Sequence, residues 1–401
     1  MAGAALAGAA GAMPSALRAA IDDTAVRPFR VAIPQVDIAT MKRRIAETRW
    51  ADPQSVADDS QGVRRQTLEP LMRYWAGAYD WRRVEAQLNA QPMFMTRIDG
   101  LDIQFIHVRS RHAGALPMIL THGWPGSVLE FLKVIGPLTD PAAHGAPDAP
   151  AFHVVVPSLP GYGFSGKPTA TGWGVETIAR SWIQLMRRLS YDRFAAQGGD
   201  WGAAVTTAIA MAAPPECIGV HLNMPLVFPE ESDFADLTPA EAKTVERMQY
   251  YQEHDSGYAK LQGTRPQTIG YGLADSPAAQ AAWIYEKFQA WTDNRGLPEE
   301  ALTRDEMLDV ISLYWLTNSG ASSGRLYWES ANAFQPCRLD LPVGVSIFAQ
   351  EIFRPSRRWA ERSYPRLIHW NELDAGGHFA AFEQPALFVA ELRACFAAMQ
   401  A

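Results

Sequence analysis

Between a short apolar run at 194–197 and a helix-compatible stretch at 203–210 stands Gly198-Gly199-Asp200-Trp201-Gly202. Glycines at 198, 199 and 202 fit one tight strand-to-helix turn, because only small residues let a helix begin so close to the strand that feeds it. A chain built on such a unit alternates strands with helices. Further apolar runs at 103–108, 117–120 and 153–156 read as buried strands. Val175, Ile178, Ala179, Trp182, Leu185, Met186 and Leu189 between them paint one helical stripe. The pattern predicts an α/β architecture, a mostly parallel sheet flanked by helices.

Elsewhere the period changes. Residues 1–26 are largely Ala and Gly and read as a flexible tail. Over 27–97 the spacing of Ile38, Met41 and Ile45 and the aromatic segments around Trp75 and Trp81 predict a helical extension. The first part of the core then spans 98–225. Strand signals lapse over 226–338, where long Trp- and Tyr-rich helical segments predict a lid inserted into the sheet. They resume at 343–348 and 367–370, so 339–401 completes the core and ends in a helix marked by Phe388, Leu392 and Phe396.

Composition narrows the function classes. A chain of 401 residues, 48% of them hydrophobic, can bury the core of one large domain with attached pieces. Its net charge of −7 gives no basic surface for phosphates, which argues against nucleic acid as a partner. Cys217, Cys337 and Cys395 are odd in number and widely spaced, which fits neither a disulfide framework nor a zinc site. A reducing, cytoplasmic location follows as the expectation. The N-terminal tail is too weakly apolar for a membrane anchor, and its first basic residue is Arg18, unlike a secretory signal.

Three strings carry chemistry. The turn at Asp200 has the small-x-nucleophile-x-small pattern of a nucleophile elbow, with Asp where serine usually stands. Alone it could equally be a helix N-cap. Thr121-His122-Gly123-Trp124-Pro125-Gly126 follows an early strand, where such folds supply one backbone donor of an oxyanion hole. The expected donors are the amides of Trp124 and Trp201, while His122 reads as a brace of its own loop. Gly376-Gly377-His378 follows the last strand, and the order nucleophile, acid, histidine asks for a carboxylate after the strand before it. Glu351 stands there; Glu372 and Asp374 are rivals, too near His378 on one loop to reach its far nitrogen. Gly163-Phe164-Ser165-Gly166 imitates a serine elbow, but it lacks a preceding strand and its second glycine falls one residue early.

With these strings in order the chain resembles the epoxide hydrolases of the microsomal and juvenile-hormone type. The resemblance rests on His122-Gly123-Trp124-Pro125-Gly126-Ser127, Gly199-Asp200-Trp201-Gly202 and Gly377-His378-Phe379-Ala380-Ala381-Phe382-Glu383, and on the segment 81–108 that wraps the core in that family. It implies the α/β-hydrolase fold with a helical lid and an N-terminal helical extension. It further implies Asp200 as nucleophile, His378 as general base and Glu351 as its charge partner. Two lid tyrosines that activate the epoxide oxygen resemble Tyr258 and Tyr327 by local context.

On that resemblance an apolar epoxide becomes a vicinal diol, through an ester on Asp200, in detoxification or secondary metabolism. No metal or other cofactor is required, and a homodimer stays an open alternative. Haloalkane dehalogenation shares the Asp nucleophile, but gives a tyrosine pair no task. A non-catalytic ligand-binding protein on the same scaffold is the rival from another class.

Overall fold

The computed structural model describes residues 24–400. Most of the expected tail, residues 1–23, lies outside the described residues. Among the described residues nine strands form a single sheet: β1 Arg27–Pro28, β2 Met93–Ile98, β3 Leu101–Val108, β4 Leu116–Thr121, β5 Phe152–Pro157, β6 Phe194–Gly198, β7 Cys217–Leu222, β8 Val343–Ile347 and β9 Leu367–Glu372. Their spatial order is β1-β2-β3-β5-β4-β6-β7-β8-β9. From β5 through β9 all pairings are parallel, and the three strands at the N-terminal edge pair antiparallel.

Three strands depart from the sequence expectation: β1 and β2, both within the extension expected to be helical, and β7. The extension expected to stay helical to 97 ends in β2, which folds onto β3 through Asp99 and Gly100, both at positive φ (49° and 80°). Such a pair is the usual two-residue hairpin turn, whose twist matches the strands it joins. β7 lies between β6 and β8; its Cys217 and His221 are buried, and these mixed residues hide its apolar pattern.

The extension contributes helices Gln35–Ala46, Arg65–Ala76 and Trp81–Asn89. Beyond adding a hairpin to the sheet edge, it packs on lid helices Pro277–Trp291 and Arg304–Leu316. Polar anchors fix that contact: Trp75 Nε1 donates to Ser312 Oγ at 2.8 Å, and Tyr79 donates to Asp309 at 2.9 Å. Arg83 closes the set on the same carboxylate at 2.6 Å. The lid itself runs from Pro239 to Glu329 in a chain of helices that includes a π-helical turn, Tyr251–Asp255, and a 3-10 turn, Pro298–Glu300. Among the described residues no helix is long and apolar enough to cross a membrane.

Candidate active site

The carboxyl ends of the parallel strands meet under the lid, and every loop of interest leaves from one of them. Between β6 and the helix Trp201–Ala212 the chain turns at Asp200, with φ 53° and ψ −130°. A non-glycine residue held there costs of order 1–3 kcal/mol, so the surroundings must over-determine it. They do: a Cβ at Gly198 or Gly202 would run into the carbonyl of Gly202 or of Thr121, and one at Gly199 into the Asn223 side chain. The glycines leave the turn no other shape.

The Asp200 side chain does not cap its helix. Instead Oδ1 accepts the backbone N–H of Trp124 at 2.8 Å, and Oδ2 faces Nε2 of His378 at 3.4 Å. The approach of Trp124's loop depends on Gly123, where a Cβ would collide with Asp200. Trp201 is the first residue of the helix, where a backbone N–H has no intrahelical acceptor. Thus the amide expected at Trp124 contacts the carboxylate, and that of Trp201 adjoins it.

His378 follows β9, and its Nδ1 donates to Glu351 Oε1 at 2.6 Å. Glu351 is fully buried, lies just past β8, and also accepts the N–H of Ile352 at 2.8 Å. The rivals Glu372 and Asp374 are exposed, and Glu372 accepts from Trp370 instead. Burial works against the His378 cation, yet the Glu351 and Asp200 carboxylates outweigh it and hold the imidazole well above its ordinary pKa. The His378 loop is clamped from below. Glu383 accepts the amides of Gly377 and Phe379, both at 3.0 Å, and that of Asp293 at 2.7 Å. It is also tied to the lid: His378 N donates to Trp291 O at 2.9 Å, and Gly376 N to Asp293 Oδ2 at 2.8 Å.

Tyr258, from helix Gly257–Thr264, and Tyr327, from helix Gly320–Glu329 packed against it, stand with ring centres 5.8 Å apart. Trp124 stacks on the first at 4.9 Å and meets the second edge-on at 5.9 Å. Both tyrosines and Asp200 line one cavity of about 490 Å³, with Met224, Leu226, Met248 and Phe334 among its apolar walls. Among the described residues the Tyr327 hydroxyl donates to no partner, although it is buried. An orphan donor aimed at a cavity with a carboxylate on its floor is the mark of a ligand-binding group.

The chain's Epoxide hydrolase N terminus family model matches residues 26–131, and the alpha/beta hydrolase fold model matches 117–295. Epoxide hydrolase 1 of Sus scrofa is 37% identical over 413 residues, covering 95% of this chain and 90% of that protein. The chain belongs to the epoxide hydrolase family. A Stigmatella aurantiaca (strain DW4/3-1) protein, provisionally named an epoxide hydrolase, is 58% identical over 377 residues, covering 94% of this chain and 86% of its own length. Among solved structures, juvenile hormone epoxide hydrolase from the silkworm Bombyx mori superposes with a TM-score of 0.88 at 31% identity, covering 96% and 97% of the two chains. The Aspergillus niger epoxide hydrolase gives 0.84 at 33% identity, covering 94% and 97%. The α/β-hydrolase fold expected from the sequence is the fold of this family member.

Other singled-out residues have structural tasks here. His122 spends both ring nitrogens on its own surroundings, donating from Nδ1 to Gly123 O at 2.9 Å and accepting Leu159 N–H at Nε2, 3.1 Å away. Burial pushes its pKa down to about 4, so the ring is neutral. Ser165 of the imitation elbow is locked into its turn, donating to Ser158 O at 2.7 Å. Sequence reasoning missed Tyr251, whose hydroxyl lies 3.0 Å from that of Tyr258. It also gave Glu383 no task. Tyr251 carries no signal among so many lid aromatics, whereas Glu383, one turn beyond a Gly-flanked histidine, could have been noted as a loop clamp.

Proposed function

We propose that the chain hydrolyses an apolar epoxide to a vicinal diol through a covalent ester on Asp200. The observation that carries this reading is the shared cavity: a carboxylate nucleophile below and two phenol donors above, with apolar walls around them. Asp200 attacks a ring carbon while Tyr258 and Tyr327 hydrogen-bond the departing oxygen, so the strained C–O bond breaks into a site prepared for its charge. Apolar walls favour an apolar substrate, and excluding water strengthens the polar contacts at the reacting centre.

Ester formation then changes the electrostatics. Asp200 loses its charge, so one of the two carboxylates that hold a proton on His378 is gone. With that attraction gone the imidazole holds its own proton less tightly and can stand neutral, free to take one from water, still oriented by Glu351. Water activated by His378 attacks the ester carbonyl, and the amides of Trp124 and Trp201 hold the oxyanion, a contribution of about 3–4 kcal/mol for one such donor in a reference case. The three cysteines, none in a disulfide, suit the cytoplasm as location.

The test is to trap the ester. A His378→Gln variant mixed with epoxide should gain the mass of one substrate molecule and release diol slowly. With wild type in oxygen-18 water, a single turnover should label Asp200. Label found only in the diol, never in Asp200, would replace the ester with direct attack by water.

A further inference from the structure

The two lid tyrosines are not equivalent, and the difference lies in residues that ring opening does not otherwise use. Tyr258's hydroxyl faces that of Tyr251 at 3.0 Å, and the Lys287 ammonium stands 4.4 Å from the centre of the Tyr258 ring. Lys287 is almost wholly buried, held by Asp255 and Glu286 at 2.6 Å each. Asp255 ends the π-helical turn that Tyr251 begins, and its second oxygen accepts from Trp291 Nε1 at 2.6 Å. One irregular turn therefore sets both the neighbouring hydroxyl and the anchor of the cation, and such turns recur at functional sites. Tyr327 has no such company. Among the described residues its hydroxyl has no hydrogen bond to a second hydroxyl, its ring lies edge-on to Trp201 at 4.7 Å, and Asp200 resists its ionisation as it resists that of Tyr258.

Resting on the ring-opening reading above, we propose that Tyr258 transfers its proton to the epoxide oxygen, while Tyr327 only donates a hydrogen bond. Tyr251 and Lys287 are positioning residues that hold the resulting phenolate. As Asp200 forms its C–O bond and the ring C–O bond breaks, the proton of Tyr258 passes to the departing oxygen. The negative charge moves from Asp200 to Tyr258. Later, water adds its oxygen to the ester carbon; one of its protons passes by way of His378 to the diol oxygen, and the other, shed as Asp200 regains its carboxylate, returns to Tyr258.

A phenolate needs a donor, and Tyr251 O–H is in place to become one; hydrogen bonds to an ionised acceptor are about twice as strong as neutral ones. Attraction between a cation and a ring face grows when the ring carries negative charge. Asp255 and Glu286 leave the trio anionic as a whole, so Lys287 acts on Tyr258 through the local field of an ammonium 4.4 Å from the ring centre, at a buried site where water screens it little.

The test compares two epoxides of similar shape, 1,2-epoxypropane and its 3,3,3-trifluoro analogue, in a His378→Gln background where the ester accumulates. The trifluoro alkoxide is far less basic and needs less help from an acid. Tyr251→Phe should slow alkylation by epoxypropane about tenfold and by the fluorinated analogue only about twofold, the signature of a weakened proton donor. Lys287→Met should show the same selective loss and Lys287→Arg should restore it. Tyr327→Phe should slow both epoxides alike. Equal loss from both epoxides in Tyr251→Phe, or no loss, overturns the assignment, as does a selective loss confined to Tyr327→Phe. Should Lys287→Met not fold, Tyr251→Phe still decides. Absence of ester from either epoxide in the parent variant takes down the ring-opening reading itself, and is told apart because it precedes every comparison.

Discussion

Replacing Glu351 by Gln removes a charge from beside His378 while leaving its hydrogen bond in place. Glu351 Oε1 accepts both His378 Nδ1 and Ile352 N–H, at 2.6 and 2.8 Å, and Oε2 has no partner. A glutamine fits with its carbonyl on the occupied side and its amide nitrogen on the empty one. What disappears is the attraction between carboxylate and imidazolium. At an effective dielectric of about 20, unit charges about 4 Å apart interact by about 4 kcal/mol, which corresponds to about 10³ in rate. The loss should fall on ester hydrolysis, where His378 gains its proton, and not on ring opening, in which His378 takes no part. Rapid mixing with limiting epoxide, followed through the fluorescence of Trp124 and Trp201 beside the ester, separates the phases. Intact-protein mass then counts the ester. Hydrolysis slowed less than about tenfold, or alkylation falling in step with it, would refute the division of labour between the two carboxylates.

Gly123→Ala should abolish alkylation without unfolding the chain, since the new methyl meets the Asp200 carboxylate; a melting curve together with ester formation checks both halves. Asp309→Ala should cost about 3 kcal/mol in denaturant unfolding, because it strands the Tyr79 hydroxyl and Arg83 where extension and lid meet. Glu383→Gln tests a pH effect. Burial lifts Glu383 to about 7 in spite of its three amide donors, above its ordinary 4.5. Stability from a carboxyl raised in the fold is full below its unfolded pKa and is lost as pH climbs through the folded one. The melting-temperature advantage of wild type over Glu383→Gln should therefore shrink between about pH 5 and about pH 8, and a widening gap would contradict it.

The parts of the fold that could be read in advance are those where one residue type permits one shape. The glycines at 198, 199 and 202 announced the turn at Asp200, and the stripe from Val175 announced its helix. Asp99-Gly100 was an equally readable hairpin signal, but the aromatic helical pattern before it drew the extension through Met93–Ile98. Local chemistry placed Glu351 and His378 correctly relative to strand ends, since a loop leaving a parallel strand has few residues with which to reach the site. It could not bring Tyr251 to Tyr258. Those hydroxyls meet because a π turn shifts the register of a lid helix, and backbone irregularity of that kind leaves no periodic trace. Lys287 is hidden for a related reason: a buried cation is written in sequence like any exposed one.

The ties between the His378 loop and the lid divide the lid into separable halves for engineering. Residues 248–264 line the cavity, while Trp291 and Asp293 carry the loop that presents His378. Grafting 239–264 from a relative, with Tyr251, Asp255 and Tyr258 retained, exchanges one wall of the cavity, keeps Met224, Leu226 and Phe334, and leaves the contacts of Trp291 and Asp293 with the His378 loop in place. Grafts that cross 291–293 exchange those contacts as well. Recombination break points between Thr264 and Pro277 are thus the ones that keep selection and turnover independently inheritable.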